Sequence, residues 1–231
     1  MASIVSAVMS SVGRKILMSL TGLVMFGFVI GHMVGNLQLL TGGGDVFNRY
    51  AHFLIGLGGL LILAELVLLM SLLVHIWTAV NIVRGKRAAR PVSYGKSGSA
   101  GAPSRKTFAS STMIYTGVLI LVFLVIHIKS FKYGPAEAEG YVTTVDGVEM
   151  RDLHRLVIET FQQPEWVIGY AIAMIALGIH LSHAFWSAFQ SLGLYHHRYT
   201  PIVYNVGRLL AFVIALGFFV IPIWIYYFGA A

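Results

Sequence analysis

The sequence contains no cysteine in its 231 residues. Without thiols, the chain cannot form a disulfide, bind an iron–sulfur cluster through thiolates or attach a c-type haem covalently. Charged residues are also scarce, at 11% of the chain against about 25% in an ordinary soluble domain, while hydrophobic residues reach 57%. We therefore expect an integral membrane protein in which any metal or cofactor rests on nitrogen or oxygen ligands.

The most basic part of the chain has no acidic residue. Between residues 84 and 106 the sequence holds seven Lys and Arg residues and no Asp or Glu. A basic loop between two spans is typical of the cytoplasmic side, so the net charge of +7 does not indicate nucleic-acid binding. The N-terminus has no basic region ahead of its apolar run, and we expect no removable signal peptide.

Five apolar segments are long enough to cross a bilayer, which takes about 20 residues. The predicted spans are 16–40, 53–83, 113–131, 164–192 and 201–228. They indicate an all-α, multi-pass membrane protein that forms one domain over residues 1–231. Basic residues mark one side of all five spans and a cluster of acidic residues marks the other. This asymmetry predicts a cytoplasmic N-terminus.

Two connecting segments differ in character. Residues 88–106 are rich in Gly, Ser, Ala and Pro, a composition that predicts a flexible loop. Residues 149–163 place apolar side chains at helical spacing beside charged positions, which predicts an amphipathic helix on the outer membrane surface. We expect His154, within that helix, to be an ordinary surface residue.

Histidines occur in four of the five predicted spans. At 1.5 Å per residue, His32 lies about 12 Å and His127 about 6–9 Å from the outer ends of their spans. His75, His180 and His183 lie at mid-membrane or in the inner half. An imidazole at such depth is costly unless it is hydrogen-bonded or bound, so each one is a functional candidate.

Two imidazoles that face each other across a helix bundle are what a six-coordinate, non-covalent haem requires. The two levels of histidines therefore predict two haems b. A stripe of small residues on the first span would let a flat porphyrin or another helix approach closely: Gly22, Gly27, Gly31 and Gly35. Histidines bonded to neighbouring helices and a proton path remain alternatives. Zinc fits less well, because neither level supplies four donors.

Three runs resemble the two-haem cytochrome b558 subunit of bacterial succinate:quinone oxidoreductases. They are Ser11-Val-Gly-Arg-Lys-Ile-Leu-Met-Ser-Leu-Thr-Gly22, Gly31-His-Met-Val-Gly-Asn-Leu-Gln38, and Gly178-Ile-His-Leu-Ser-His-Ala-Phe-Trp-Ser-Ala-Phe-Gln-Ser-Leu-Gly193. The third is the most specific. The similarity covers essentially the whole chain, including the five spans and the acidic outer loop.

The resemblance implies a ligand assignment. His32 and His127 would be the axial ligands of the outer haem, and His75 and His180 those of the inner haem. Depth alone matches His183 better to His75. The Phe-Trp-Ser run nevertheless sets the register in favour of His180, and His183 then becomes a supporting residue.

The resemblance also implies a function. The chain would be a lipid-embedded anchor in the bacterial cytoplasmic membrane, with a flavoprotein subunit and an iron–sulfur subunit docked on its cytoplasmic face. Electrons from succinate would pass through the two haems to menaquinone or another quinone. Apart from Glu165 at the very start of the fourth span, Glu65 is the only carboxylate within a predicted span, and it is a candidate proton donor to the quinone. Polar residues near the outer surface could line the quinone site: Asn36, Gln38, Asn48 and His52.

Several alternatives remain open. The chain could be the b-type cytochrome anchor of a hydrogenase or a formate dehydrogenase, since either would share paired histidines. It could also work in a fumarate reductase, which runs the reaction in reverse. A haem-free transporter that relays protons through histidines belongs to a different class altogether.

Overall fold

The computed structural model describes residues 4–41, 43–89 and 107–229. It confirms an all-α membrane protein, with five helices long and apolar enough to cross a bilayer. The segment that we predict to be flexible lies outside the described residues from residue 90 onward.

The elements follow one another in simple order. The helices before the undescribed segment are α1 (Ile4–Met9), α2 (Ser11–Asn36), α3 (Gln38–Thr41), α4 (Gly43–Gly56) and α5 (Gly59–Ala88). After it come α6 (Phe108–His127), a π-helical turn (Ile128–Lys132), a 3-10 turn (Glu137–Glu139), β1 (Val142–Val145), β2 (Val148–Arg151), α7 (Leu153–Phe161), α8 (Pro164–Ser191) and α9 (Thr200–Phe228). The spanning helices are α2, α5, α6, α8 and α9.

The two ends of the bundle differ in charge. The end formed by α4, the β1–β2 hairpin and α7 carries all nine Asp and Glu residues of the chain, counting Glu65 in the first part of α5. We call it the acidic end. The opposite end, where α2 and α9 begin and α5 and α8 finish, carries Lys and Arg without any carboxylate. We call it the basic end, and its assignment to the cytoplasm stays a prediction.

The second span begins later than the sequence predicts. Residues 53–58, which we expected to open it, belong to the end of α4 and to a turn. Gly58 adopts φ +53°, a left-handed conformation that glycine tolerates without steric cost, and α5 starts only after it. The boundary is hidden in the sequence because apolar residues continue through both helices.

Small residues allow the closest helix contacts. A Cβ placed on Gly178 of α8 would lie 2.9 Å from Cβ of Ala215 on α9. One placed on Gly207 would lie 2.6 Å from the ring of Phe185. Such small-residue contacts are a usual way for helices to associate in a bilayer. Helices α8 and α9 thus form the central pair of the bundle. Helices α2 and α6 both pack against α8, and α5 packs against α2.

Hydrogen bonds tie the connecting elements of the acidic end together. Asn48 of α4 is buried and donates to Asp152 Oδ1 at 2.8 Å, while its own Oδ1 accepts from the backbone N–H of His154 at 2.8 Å. The guanidinium of Arg151 donates to the carbonyl oxygens of Phe131 and Pro135, at 2.9 and 2.8 Å. The loop after α6 is thus held to the hairpin, and α4 is held to α7.

The predicted amphipathic helix is present as α7. Its apolar positions Leu156, Val157 and Phe161 are buried, as their helical spacing predicts. The expectation for His154 is wrong, because its side chain is partly buried against Phe47 and Gly44 of α4. The sequence of α7 alone does not reveal that α4 lies over it.

Candidate functional site: two pairs of histidines

The structure brings His32 of α2 and His127 of α6 together near the acidic end. Their ring centroids lie 5.7 Å apart, and the two ring planes are nearly perpendicular at 88°. An imidazole nitrogen binds a metal at about 2 Å, so two rings that share one ion have centres roughly 6 Å apart. The spacing of this pair suits a shared ion.

Aromatic side chains surround the acidic-end pair. The ring of Phe28, one helical turn before His32, stacks on it at 5.3 Å. Tyr170 of α8 places its hydroxyl 3.0 Å from Nδ1 of His127. Other rings complete the surroundings of the pair: Phe123, Phe131 and Phe218. Packing is therefore the main constraint on the orientation of these two histidines.

The second pair, His75 of α5 and His180 of α8, lies nearer the basic end. Nδ1 of His75 lies 3.2 Å from the carbonyl oxygen of Met18 and 3.4 Å from the hydroxyl of Thr21. Nδ1 of His180 lies 3.2 Å from the hydroxyl of Thr116. Each basic-end histidine therefore makes polar contacts with a neighbouring helix.

His183 lies on α8, three residues after His180. Its ring meets Trp186 edge-on at a centroid distance of 5.3 Å. Its Nδ1 is buried and has no hydrogen-bond partner among the residues that the structure describes. The choice between His180 and His183 as the ligand opposite His75 stays a prediction.

The glycine stripe of α2 is covered at its ends and open in its middle. A Cβ on Gly22 would lie 3.5 Å from the His75 ring, and one on Gly35 would lie 2.5 Å from the Tyr50 hydroxyl. A Cβ on Gly27 or Gly31 would meet no protein atom within 4 Å. An open glycine face, an unpartnered buried nitrogen and two histidine pairs fit a flat, metal-centred cofactor such as haem.

Glu65 forms an ion pair that the sequence does not predict. Its carboxylate lies 2.5 Å from Nζ of Lys132, and both side chains are partly exposed. Lys132 closes the π-helical turn after His127. In that turn the N–H of Tyr133 bonds to the carbonyl of Ile128, so residues five apart share a face. The turn thus places Lys132 on the side of α6 that carries His127.

The other candidates for a quinone site are scattered. Asn36 donates to the backbone carbonyl of His32 at 2.7 Å, and its Nδ2 lies 3.4 Å from Nδ1 of the same residue. His52 is exposed on α4. Gln38 opens the short helix α3, and Asn48 is buried in the contact between α4 and α7. Asn36 alone of these four is in contact with a histidine of the two pairs.

No protein-family model, curated protein or solved structure matches the chain. Within residues 4–41, 43–89 and 107–229, no three His, Asp or Glu side chains converge as a metal site would require. A haem needs only two such side chains as protein ligands to its iron. The family membership that the sequence implies stays a prediction, and the proposal below rests on the pairing of the histidines.

Sequence reasoning missed Thr21, Thr116, Tyr170 and Lys132 as neighbours of the site. A signal for the two threonines is present in the sequence. Thr21-Gly22 and Thr116-Gly117 each begin 11 residues before a histidine of the acidic-end pair, and each helix also carries Phe four residues before that histidine. The shared pattern Thr-Gly-x5-Phe-x3-His marks α2 and α6 as equivalent helices.

Proposed function

We propose that the chain is the dihaem cytochrome b membrane anchor of a succinate:quinone oxidoreductase. The single observation that supports this most is the presence of two histidine pairs at two depths of one helix bundle. Each pair draws its members from different spanning helices. A chance arrangement of hydrogen-bonded histidines has no reason to produce that pattern twice.

In this proposal, His32 and His127 would hold one haem b, and His75 and His180 would hold the other. Haem bound in this way carries out reversible one-electron transfer, and two imidazole ligands leave iron no open position for oxygen. The residues of the chain orient the imidazoles, by ring packing in the first pair and by hydrogen bonds in the second. The rings of Phe28 and Phe123 stack on His32 and His127, respectively.

The charge of the two ends supports an assignment of partners. The basic end carries no carboxylate, so an acidic protein surface or anionic lipid can meet it without repulsion. In the proposal this end faces the cytoplasm of a bacterium and docks the iron–sulfur and flavoprotein subunits. Quinone, of the menaquinone type or another, is reduced near the acidic-end pair, where Glu65 is the nearest candidate proton donor.

The haem content of the purified protein tests the proposal. Pyridine haemochrome measured against protein should give about two b haems per chain, and all of it should be extractable with acidic acetone because no cysteine can hold it. A single haem would overturn the dihaem assignment. A protein that folds without any haem would instead favour a proton-coupled transporter.

The partners need a separate measurement. The complex isolated from native membranes should oxidise succinate with an artificial dye as acceptor. Copurification of hydrogenase or formate dehydrogenase activity in its place would keep the cytochrome assignment but refute the succinate assignment. Turnover with fumarate and reduced quinone, compared with the forward reaction, gives the physiological direction.

A further inference from the structure

The repeated Thr-Gly pair on α2 and α6 lies against the two basic-end histidines. Thr21-Gly22 lies beside His75, and Thr116-Gly117 lies beside His180. A Cβ on Gly22 would lie 3.5 Å from the ring of His75, and one on Gly117 would lie 3.6 Å from the ring of His180. In both places the imidazole therefore lies in van der Waals range of the glycine position, and the hydroxyl of the adjoining threonine lies next to Nδ1.

The proton on Nδ1 of His75 follows from its two neighbours. A carbonyl oxygen can only accept a hydrogen bond, so the contact with the Met18 carbonyl at 3.2 Å requires an N–H on Nδ1. The hydroxyl of Thr21 already donates its single proton to the carbonyl of Leu17 at 2.7 Å. Its lone pairs therefore remain as a second acceptor for the same N–H.

The position of the proton on His180 follows from the same reasoning. The hydroxyl of Thr116 has one proton, and it lies 3.1 Å from the carbonyl of Thr112 and 3.2 Å from that of Met113, each of which can only accept. The oxygen of Thr116 then accepts from Nδ1 of His180 at 3.2 Å. Thr116 is buried, so water does not compete for this bond.

We propose that Thr21 and Thr116 are positioning residues that hold His75 and His180 in the Nδ1–H tautomer, so that both Nε2 lone pairs are free for one shared ligand. The ligand is haem iron if the proposed function is right, and only this identity rests on that function. The tautomer itself follows from the hydrogen bonds. An acceptor on the far nitrogen makes a ligating imidazole more basic and fixes the orientation of its ring.

The two positions are not equivalent, and this difference supplies an internal control. His75 keeps the Met18 carbonyl as an acceptor if Thr21 is lost, whereas Thr116 supplies the one hydrogen bond to Nδ1 of His180 within the described part of the chain. Thr116→Val should therefore act more strongly than Thr21→Val. Thr116→Ser retains the hydroxyl and should behave like the unmodified protein.

Redox titration of the purified protein measures the effect on a bound haem. A less basic imidazole stabilises ferric iron less, so Thr116→Val should move the midpoint potential of one haem upward and leave the other unchanged. If the variant loses about tenfold more affinity for ferric than for ferrous iron, the midpoint potential rises by about 59 mV. The shift in Thr21→Val should be smaller. Equal potentials in Thr116→Val and the unmodified protein, or a shift that Thr116→Ser shares, would overturn the inference.

A nitrogen NMR measurement separates this inference from the proposed function. In reduced, 15N-histidine-labelled protein, the Nδ1 atoms of His75 and His180 should carry directly bonded protons, and Thr116→Val should change only the His180 signal. Nδ1–H in a protein without haem would refute the haem assignment and keep the tautomer. Protonation on Nε2, in a protein that does contain haem, would refute the tautomer alone.

Discussion

The two histidine pairs differ in what orients them. The acidic-end rings of His32 and His127 contact each other and lie among Phe and Tyr rings. The basic-end rings of His75 and His180 are held through Nδ1 by a backbone carbonyl and by threonine hydroxyls. A tyrosine hydroxyl can donate or accept, whereas a carbonyl can only accept. The protonation pattern is therefore constrained at the basic end and free to vary at the acidic end.

The two ends of the bundle also differ in how their charges are met. At the acidic end, most cations have an acidic partner within the chain: Arg49 with Asp146, Lys132 with Glu65, and Arg155 with Glu159. At the basic end no Asp or Glu is present, so no such pair can form. Exposed ion pairs contribute only about 0–1 kcal/mol each, so their role is to balance charge more than to stabilise the fold. The positive charges of the acidic end are therefore mostly balanced within the chain. The positive charges of the basic end have no Asp or Glu beside them and are suited to a negatively charged partner.

The largest expected effect is the selective loss of one haem. His32→Ala and His127→Ala should both remove the same haem, because the two rings lie at one site. His75→Ala and His180→Ala should both remove the other haem. Redox-resolved spectra and haem content of the four variants check this pairing. Loss of both haems in all four variants would show that the two histidine pairs are not independent haem sites.

His183→Ala is the matched control on α8. We expect it to retain two haems, because in the proposed function His180, and not His183, holds the second haem together with His75. If His183→Ala abolishes the basic-end haem and His180→Ala leaves it intact, the assignment of the ligand must be exchanged between them.

The second prediction concerns Glu65 at the acidic end. Glu65→Gln keeps the size of the side chain but cannot release a proton. Loss of a positioned proton donor typically slows a reaction about 100-fold or more, so quinone-linked turnover should fall by that order. Both haem spectra and dye-linked succinate oxidation should stay nearly unchanged.

Lys132→Met is the control for the ion pair. It breaks the contact with Glu65 but keeps the carboxyl group, so it should retain most of the quinone turnover. Equal losses in the two variants would mean that the ion pair matters as a structural link between α5 and the end of α6. Normal turnover in Glu65→Gln would make Glu65 a structural residue.

The sequence predicts the spans and the levels of the histidines because both depend on local properties, namely apolar length and position along a helix. It does not predict the start of α5, since residues 53–58 are as apolar as the span itself. The β1–β2 hairpin carried a readable signal, Asp146-Gly147 between two short runs that include β-branched residues, which is typical of a tight turn. The repeated Thr-Gly pattern singles out Thr116, but it does not reveal that His180 is its partner. That contact, like the contact of Lys132 with Glu65, depends on how separate helices rotate against each other.

The third prediction tests how α4 docks on α2. A Cβ on Gly35 would overlap the ring of Tyr50, so Gly35→Ala must displace that ring. Overpacking of this kind costs about 1–3 kcal/mol, and the thermal unfolding temperature should fall. Gly169→Ala, on α8 and away from the open glycine face of α2, would meet no protein atom within 4 Å and should not lower the unfolding temperature. Equal unfolding temperatures in the two variants would contradict the close contact between Gly35 of α2 and Tyr50 of α4.

The smallest expected effect is a pH dependence that is confined to the acidic end. Burial lowers the pKa of His154 below its ordinary value, and the opposing effects of Asp152 and Asp45 are weaker. The unfolded state therefore binds the proton more readily than the folded state does. Stability from this contact is present above the ordinary pKa of histidine, about 6.5, and declines as the pH falls below it.

Hydrogen exchange can detect this local opening. Between pH 7.5 and 5.5, after correction for the intrinsic exchange rate, protection of amides in α4 and α7 should decrease, while protection in α8 near His180 should not. His154→Gln should remove the pH dependence, because glutamine does not titrate in this range. His52→Gln changes an exposed histidine on α4 and should leave the pH dependence in place. If His52→Gln removes it and His154→Gln does not, the contact between α4 and α7 is not the pH-sensitive element of the acidic end.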